Sequence, residues 1–176
     1  MFKGAYDASQ FVQRSVVNVG DVGGAQLEYW NEFGKEIGLS GGLVERAVGA
    51  IGRFESGGNW GHWDWAHDNQ GISAGFLQFT QVAGGIKDYR DFYKELQSTD
   101  SSAPPMSDGM YNDIGKYNGL QNWQPLKKYA SEFASQAATN AGKMAQILAW
   151  EGRGNNKLKR KYTVKWFKAF KCSSAA

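Results

Sequence analysis

Residues 40–59 read SGGLVERAVGAIGRFESGGN, and residues 60–80 continue as WGHWDWAHDNQGISAGFLQFT. In the first stretch Val44, Val48, Ile51 and Glu55 fall at i, i+4, i+7 and i+11, which is one face of a helix, and Ser40 stands ahead of it at a capping position. Ser56-Gly57-Gly58 follows at once, and glycines in that place end helices. The spacing therefore predicts a helix whose apolar stripe closes on a carboxylate. The second stretch shifts to Trp, His, Asp, Gly, Ser and Thr, with Asp68-Asn69-Gln70-Gly71 as turn chemistry between two short extended segments. That predicts a β-hairpin directly after the helix.

On the N-terminal side, Asp7 is placed to cap a first helix, and residues 25–37 carry Leu27, Trp30 and Phe33 at helical spacing. On the C-terminal side, helical pattern runs from Ile86 to Gln97, breaks at Ser101-Ser102-Ala103-Pro104-Pro105 and returns over Tyr111–Tyr117. From Leu126 to Trp150 the chain is Ala-rich and, near Met144 to Trp150, apolar on nearly every side, which marks a buried central helix or helix pair. No internal repeat or linker interrupts the pattern. The expectation is one domain over 1–176, mainly α, with the hairpin as its β component.

Composition narrows the function classes. The 176 residues are 41% hydrophobic, enough to build a core without disulfide or metal staples, and 14% aromatic, which excludes a disordered chain. The single cysteine, Cys172, excludes an internal disulfide or a multi-thiolate metal site, and with no histidine near it in sequence it is a poor nucleophile candidate. No apolar run reaches the roughly 20 residues of a membrane-spanning helix. The opening residues, MFKGAYDASQFVQRSVVNVG, lack the apolar stretch of a secretory signal, so action outside the cytoplasm is expected to need another carrier.

The net charge of +3 is unevenly distributed. Residues 155–176 hold seven basic side chains (Lys157, Lys159, Arg160, Lys161, Lys165, Lys168 and Lys171) and no acid, leaving 13 basic against 17 acidic groups in the rest. Tyr162, Trp166 and Phe170 recur at i, i+4 and i+8, so this segment reads as a basic amphipathic helix. It is either a terminal helix docked on the core with a solvated cationic face or an arm that approaches an anionic surface. Nucleic acid is the least favoured such surface, because no recognition motif is interleaved with the basic residues.

Glu55 carries the chemical argument. On an apolar stripe it is expected to be desolvated, and at a helix C-terminus it faces the negative end of the macrodipole, so both effects predict a raised pKa. A carboxylic acid held protonated near neutral pH is what a glycosidase uses to protonate a leaving oxygen. Thirteen residues on, Asp68 sits in a polar turn where a carboxylate stays ionised, and Ser73 follows on the hairpin's second arm. Two carboxylates with opposed environments and a hydroxyl able to hold a water form the minimum for an inverting hydrolase.

Glu55-Ser56-Gly57-Gly58-Asn59, then Gly75-Phe76-Leu77-Gln78, then Tyr117-Asn118-Gly119 resemble the three-part signature of soluble lytic transglycosylases and goose-type lysozymes. Asp68-Asn69-Gln70-Gly71-Ile72-Ser73-Ala74-Gly75, with Phe79-Thr80 and Gly84-Gly85-Ile86, is similar to the hairpin of the family 46 chitosanases. Both belong to the lysozyme superfamily. The resemblance implies an α+β lysozyme-like fold of two helical lobes, with the β-hairpin at the active-site cleft. It implies Glu55 as the acid, Gln78 on the cleft wall, Tyr117 and Asn118 close to the glutamate, and Asp68 with Ser73 positioning the attacking water.

Both families cut β-1,4 links between amino sugars. Chitosan is a polycation, whereas peptidoglycan and its associated polymers carry the anionic groups that suit the basic 155–176 segment, so a peptidoglycan muramidase is expected. Family habit then points to a phage-encoded or virion-associated enzyme acting on the cell wall. A lytic transglycosylase using Glu55 alone, a chitosanase, and a non-enzymatic glycan- or membrane-binding module with a cationic tail are the alternatives. Trp63, Trp65 and Tyr117 are candidates to stack on sugar faces. His62, Asp64, His67 and Asp68 lie close together, but their spacing matches no helical metal motif, so neither a metal nor another cofactor is expected. The expected partner is the glycan strand, bound by a monomer.

Overall fold

The computed structural model describes residues 40–65 and 69–151, together with Asn31, Gly34, Lys35 and Gly38. Asn31, Gly34 and Lys35 are helical and Gly38 lies in a turn, while the rest of the expected 25–37 helix, the helix capped by Asp7 and the 155–176 segment lie outside the described residues. What is described is mainly helical with one small antiparallel sheet. The elements run α1 (Gly41–Ser56), β1 (Trp63–Trp65), β2 (Ile72–Ala74), β3 (Phe79–Thr80), α2 (Gly85–Leu96), α3 (Asp108–Tyr117), α4 (Ala130–Ala137) and α5 (Asn140–Glu151). Short 3-10 turns at Gln97–Thr99 and Lys127–Tyr129 extend α2 and lead into α4.

Helix α1 follows Ser40 and stops where its glycines allow. Gly57 and Gly58 both adopt positive φ, 63° and 83°, which costs a residue without Cβ little. The Gly57 N–H donates to the Arg53 carbonyl and the Gly58 N–H to the Gly52 carbonyl, so carbonyls orphaned at the helix end are satisfied. The chain then turns into the sheet, whose order is β1-β2-β3. Trp63, Asp64 and Trp65 pair with Ala74, Ser73 and Ile72, and Ser73 and Ala74 pair in turn with Thr80 and Phe79. The hairpin expected from Asp68–Gly71 is thus present, and Phe79–Thr80 adds a third strand.

Alternation along β2 sets the sheet's two faces. Ile72 and Ala74 are buried and Ser73 between them is half-buried, so the apolar side packs inward. Phe79, Tyr89 and Phe133 meet beneath it with centroids 5.0–6.2 Å apart, and Trp63 lies 4.9 Å from Phe133. The Tyr89 hydroxyl, fully buried, donates to Gln136 Oε1, and burial drives its pKa well up, so it remains neutral. Helix α2 lies along α5, with Ile86, Tyr89, Tyr93 and Leu96 buried from one side and Met144, Ile147 and Leu148 from the other. The Ala-rich stretch is a helix pair, as its composition allows, broken at Thr139, whose hydroxyl accepts from the Gly142 N–H to start α5.

Helix α3 begins at Asp108, three residues before the periodic pattern does. The Ser107 hydroxyl accepts from the Met110 N–H while donating to Glu132 of α4, and the Ser107 N–H donates to the same carboxylate. A long-range acid completes this cap. Arg90, buried on α2, stacks 4.2 Å over the Tyr111 ring and donates to the Tyr111 carbonyl, tying α2 to α3.

Candidate functional site

The last turn of α1 overhangs the core. Val48 is buried and Ile51 half-buried, but Arg53, Phe54 and Glu55 are all exposed, Phe54 at 86%. The burial that the apolar stripe predicts for Glu55 is therefore not found: the stripe is buried at Val48, half-buried at Ile51 and exposed at Glu55. Glu55 instead borders a shallow pocket of about 300 Å³ with Ile51, Leu77, Gln78 and Trp150, at the small end of the range of about 300–1,000 Å³ for ligand sites. Three elements converge there: the end of α1, the turn between β2 and β3, and the end of α5.

That turn is tightly fixed. The Phe76 N–H donates to Gln146 Oε1 at 2.9 Å, the Ser56 hydroxyl donates to the Phe76 carbonyl at 3.0 Å, and Gln146 Nε2 reaches the Trp60 carbonyl at 2.9 Å. Gln146 is fully buried, and both atoms of its amide are bonded to main chain, Oε1 at Phe76 and Nε2 at Trp60. The Phe76 ring stacks on Trp60 at 4.4 Å and fills the notch left by Gly52. Gly75, at φ 80°, has no room for a Cβ, which would lie 2.4 Å from Gln146 Oε1. Gln78 holds φ at 50°, a conformation disfavoured for a side-chain-bearing residue, with its Nε2 on the Gly75 carbonyl. Backbone strain of this kind persists only where its surroundings over-determine it.

Gly52→Ala tests the notch. A Cβ there would stand 1.9 Å from two atoms of the Phe76 ring, which Trp60 holds in place. Overpacking of this sort costs about 1–3 kcal/mol. The expected result is a melting temperature lowered by about 2–4 °C per kcal/mol, read by thermal unfolding.

Ser73 lies at the centre of the sheet's outer face, directly between Asp64 on β1 and Thr80 on β3. These three form a polar row. Asp64 Oδ1 accepts from the Trp65 N–H, and Oδ2 is 4.0 Å from His62 Nε2. Asp68 lies outside the described residues, as does His67. Among the described residues no three His, Cys, Asp or Glu side chains gather as a metal site.

One stacking candidate is corrected. Trp63 is 7% exposed, its indole N–H bonded to the Leu126 carbonyl and its ring against Phe133, so it belongs to the core and offers no open face. Trp65 shares its side of β1, opposite Asp64 and Ser73, and stacks on Trp123 at 5.9 Å with Lys127 Nζ 4.7 Å from its centroid. Both tryptophans therefore lie on the face away from the polar row. Tyr117, half-buried, ends α3, and Asn118 is exposed behind it; Gln81 ties this stretch to the sheet, its Nε2 donating to the Tyr117 carbonyl and its own carbonyl accepting from the Gly119 N–H.

Four residues of the site escape sequence reasoning: Asp64, Ser56, Gln146 and Trp150. Asp64 was visible only as part of a His/Asp cluster, and its place opposite Ser73 depends on the hairpin register. Gln146 carried a signal, as a lone amide inside an apolar helix. Lys143, one turn before it, has its ammonium 5.7 Å from the Trp60 ring and its pKa lowered by desolvation. Comparison of the chain with protein-family models, with curated proteins and with solved structures finds no match.

Proposed function

We propose that this protein is a glycosidase of amino-sugar polymers, a muramidase that cuts the β-1,4 links of peptidoglycan within a lysozyme-like arrangement of two helical lobes about the hairpin. The observation that carries the reading is Glu55, an exposed carboxyl at a pocket also lined by Leu77 and Gln78, from the turn that Gln146 and Ser56 hold at Phe76. A catalytic acid must meet its substrate in one geometry, and a wall fixed by buried hydrogen bonds supplies a rigid reference for it. Glu55 gives its proton to the leaving glycosidic oxygen. Asp68 takes a proton from the water that attacks the anomeric carbon, and the Ser73 hydroxyl orients that water, leaving a free reducing end. Gln78 contacts the sugar, and Tyr117 with Asn118 bounds the groove.

A second reading has its own support: among the described residues, Glu55 is the one carboxylate on the pocket wall. A lytic transglycosylase needs no other, because the sugar's own 6-hydroxyl attacks the anomeric carbon while Glu55 acts as acid and then as base. Mass spectrometry of fragments released from purified peptidoglycan separates the two, through free reducing ends or 1,6-anhydro ends. Release from chitosan alone would identify a chitosanase. Binding without cleavage would identify a glycan-binding module.

The basic 155–176 segment is proposed to hold the enzyme at the anionic wall. Changing Lys161, Lys165 and Lys168 to Gln is expected to weaken co-sedimentation with insoluble peptidoglycan at low salt and to flatten its salt dependence, since screening acts on that attraction. Cleavage of short soluble glycans is expected to persist. Unchanged sedimentation would make the segment a docked terminal helix. No helix of the described residues is long and apolar enough to cross a membrane.

A further inference from the structure

Gln81 follows β3 directly and is 1% exposed. Its side chain is saturated by main chain from two other segments: Nε2 donates to the carbonyls of Tyr117 and Asn122, both at 2.9 Å, and Oε1 accepts the Ile72 N–H at 2.9 Å. Its own backbone does the same, with the N–H on the Ile72 carbonyl at 2.8 Å and the carbonyl accepting from Gly119 at 3.1 Å. The hairpin turn closes on this amide so tightly that a Cβ at Gly71 would lie 2.4 Å from Oε1.

The loop that Gln81 holds has little else to place it. Asn118, Gly119, Leu120, Gln121 and Asn122 are all exposed, so packing contributes little, and three main-chain groups of the 117–122 stretch end on one buried residue. At its other end the same side chain is bonded to Ile72, the neighbour of Ser73. Gln81 therefore sets the separation between the loop bearing Asn118 and the strand bearing Ser73.

We propose that Gln81 is a positioning residue for glycan binding: it fixes the Tyr117–Asn122 loop, as one wall of the substrate groove, relative to the strand that bears Ser73. The inference rests on the reading of the site as an amino-sugar glycosidase. Gln81 touches no substrate; it acts through the loop. A glutamine that served only to stabilise the fold would change how much protein is folded and leave the affinity of the folded fraction alone. That difference is measurable.

The test uses the full chain in a Glu55→Gln background, with titration calorimetry of the N-acetylglucosamine tetramer giving Kd and stoichiometry separately. Gln81→Met keeps an unbranched side chain of similar length and removes both donors and the acceptor, so Kd is expected to rise about tenfold at unchanged stoichiometry. Gly119→Ala disturbs the loop from outside: φ there is 75°, unfavourable with a Cβ, and nothing lies within 4 Å to clash. It is expected to raise Kd in the same direction by a few-fold, and it decides the matter if Gln81→Met does not fold. A folded Gln81→Met protein with the parent's Kd would overturn the inference, as would an unchanged Gly119→Ala Kd where Gln81→Met is unfolded. If the Glu55→Gln parent binds neither the tetramer nor insoluble peptidoglycan, the reading of the site falls first and the inference with it.

Discussion

Glu55→Gln is expected to reduce the release of soluble fragments from purified peptidoglycan by about 10²- to 10⁴-fold, the contribution typical of a positioned general acid or base. The substitution keeps the side chain's length and shape and replaces its ionisable carboxyl with an amide that neither gives nor takes a proton. Glu55 is exposed on the final turn of α1, a position at which substitutions usually shift stability by less than about 0.5 kcal/mol. The melting temperature is therefore expected to stay at the parent's value. Loss of activity with an intact fold separates a chemical role from a structural one. A Glu55→Gln protein that cleaves at the parent's rate would end the glycosidase reading, in both its hydrolytic and its transglycosylating forms.

What the sequence makes legible here is what lies within one turn or one hairpin. The stop of α1 at Ser56-Gly57-Gly58 and the antiparallel pairing of the two segments that flank Asp68–Gly71 are local chemistry, and both are found where the residues require them. Phe79–Thr80 is a strand of two residues, too short to show any alternation, so its pairing with Ser73 and Ala74 could not be read in advance. Alternation puts Trp63 and Trp65 on one face of β1, yet which face is core depends on Leu126, Phe133 and Trp123, all distant in sequence. The same holds for the supports of the site. Gln146 reaches Phe76 across 70 residues, and Gln81 reaches Tyr117 and Asn122 across 36 and 41, distances over which no periodicity carries information. The exposure of Glu55 is another consequence of tertiary extent: helix spacing gives the direction of a side chain, and only the neighbouring layers decide how far along the helix that direction is covered.

The hairpin's two acids divide the remaining mechanism. In the hydrolytic reading Asp68→Asn is expected to cost about 10²- to 10⁴-fold, close to the Glu55 effect, because it removes the base for water. Ser73→Ala is expected to cost less, about tenfold, the order of a single lost hydrogen bond to an oriented water. Asp64 is the control with the most informative geometry, since it stands directly across the ladder from Ser73 and shares its face. Its Oδ1 is engaged by the Trp65 N–H, an interaction that Asn preserves through its own Oδ1, so Asp64→Asn changes charge beside Ser73 while leaving the strand bonded. If Asp68 is the base, Asp64→Asn retains most activity. A collapse of rate in Asp64→Asn with a nearly active Asp68→Asn would transfer the role to the carboxylate facing Ser73. Both variants active, with products ending in 1,6-anhydro sugars, would remove the need for any base on the hairpin and leave Glu55 alone at the reaction, as a lytic transglycosylase requires.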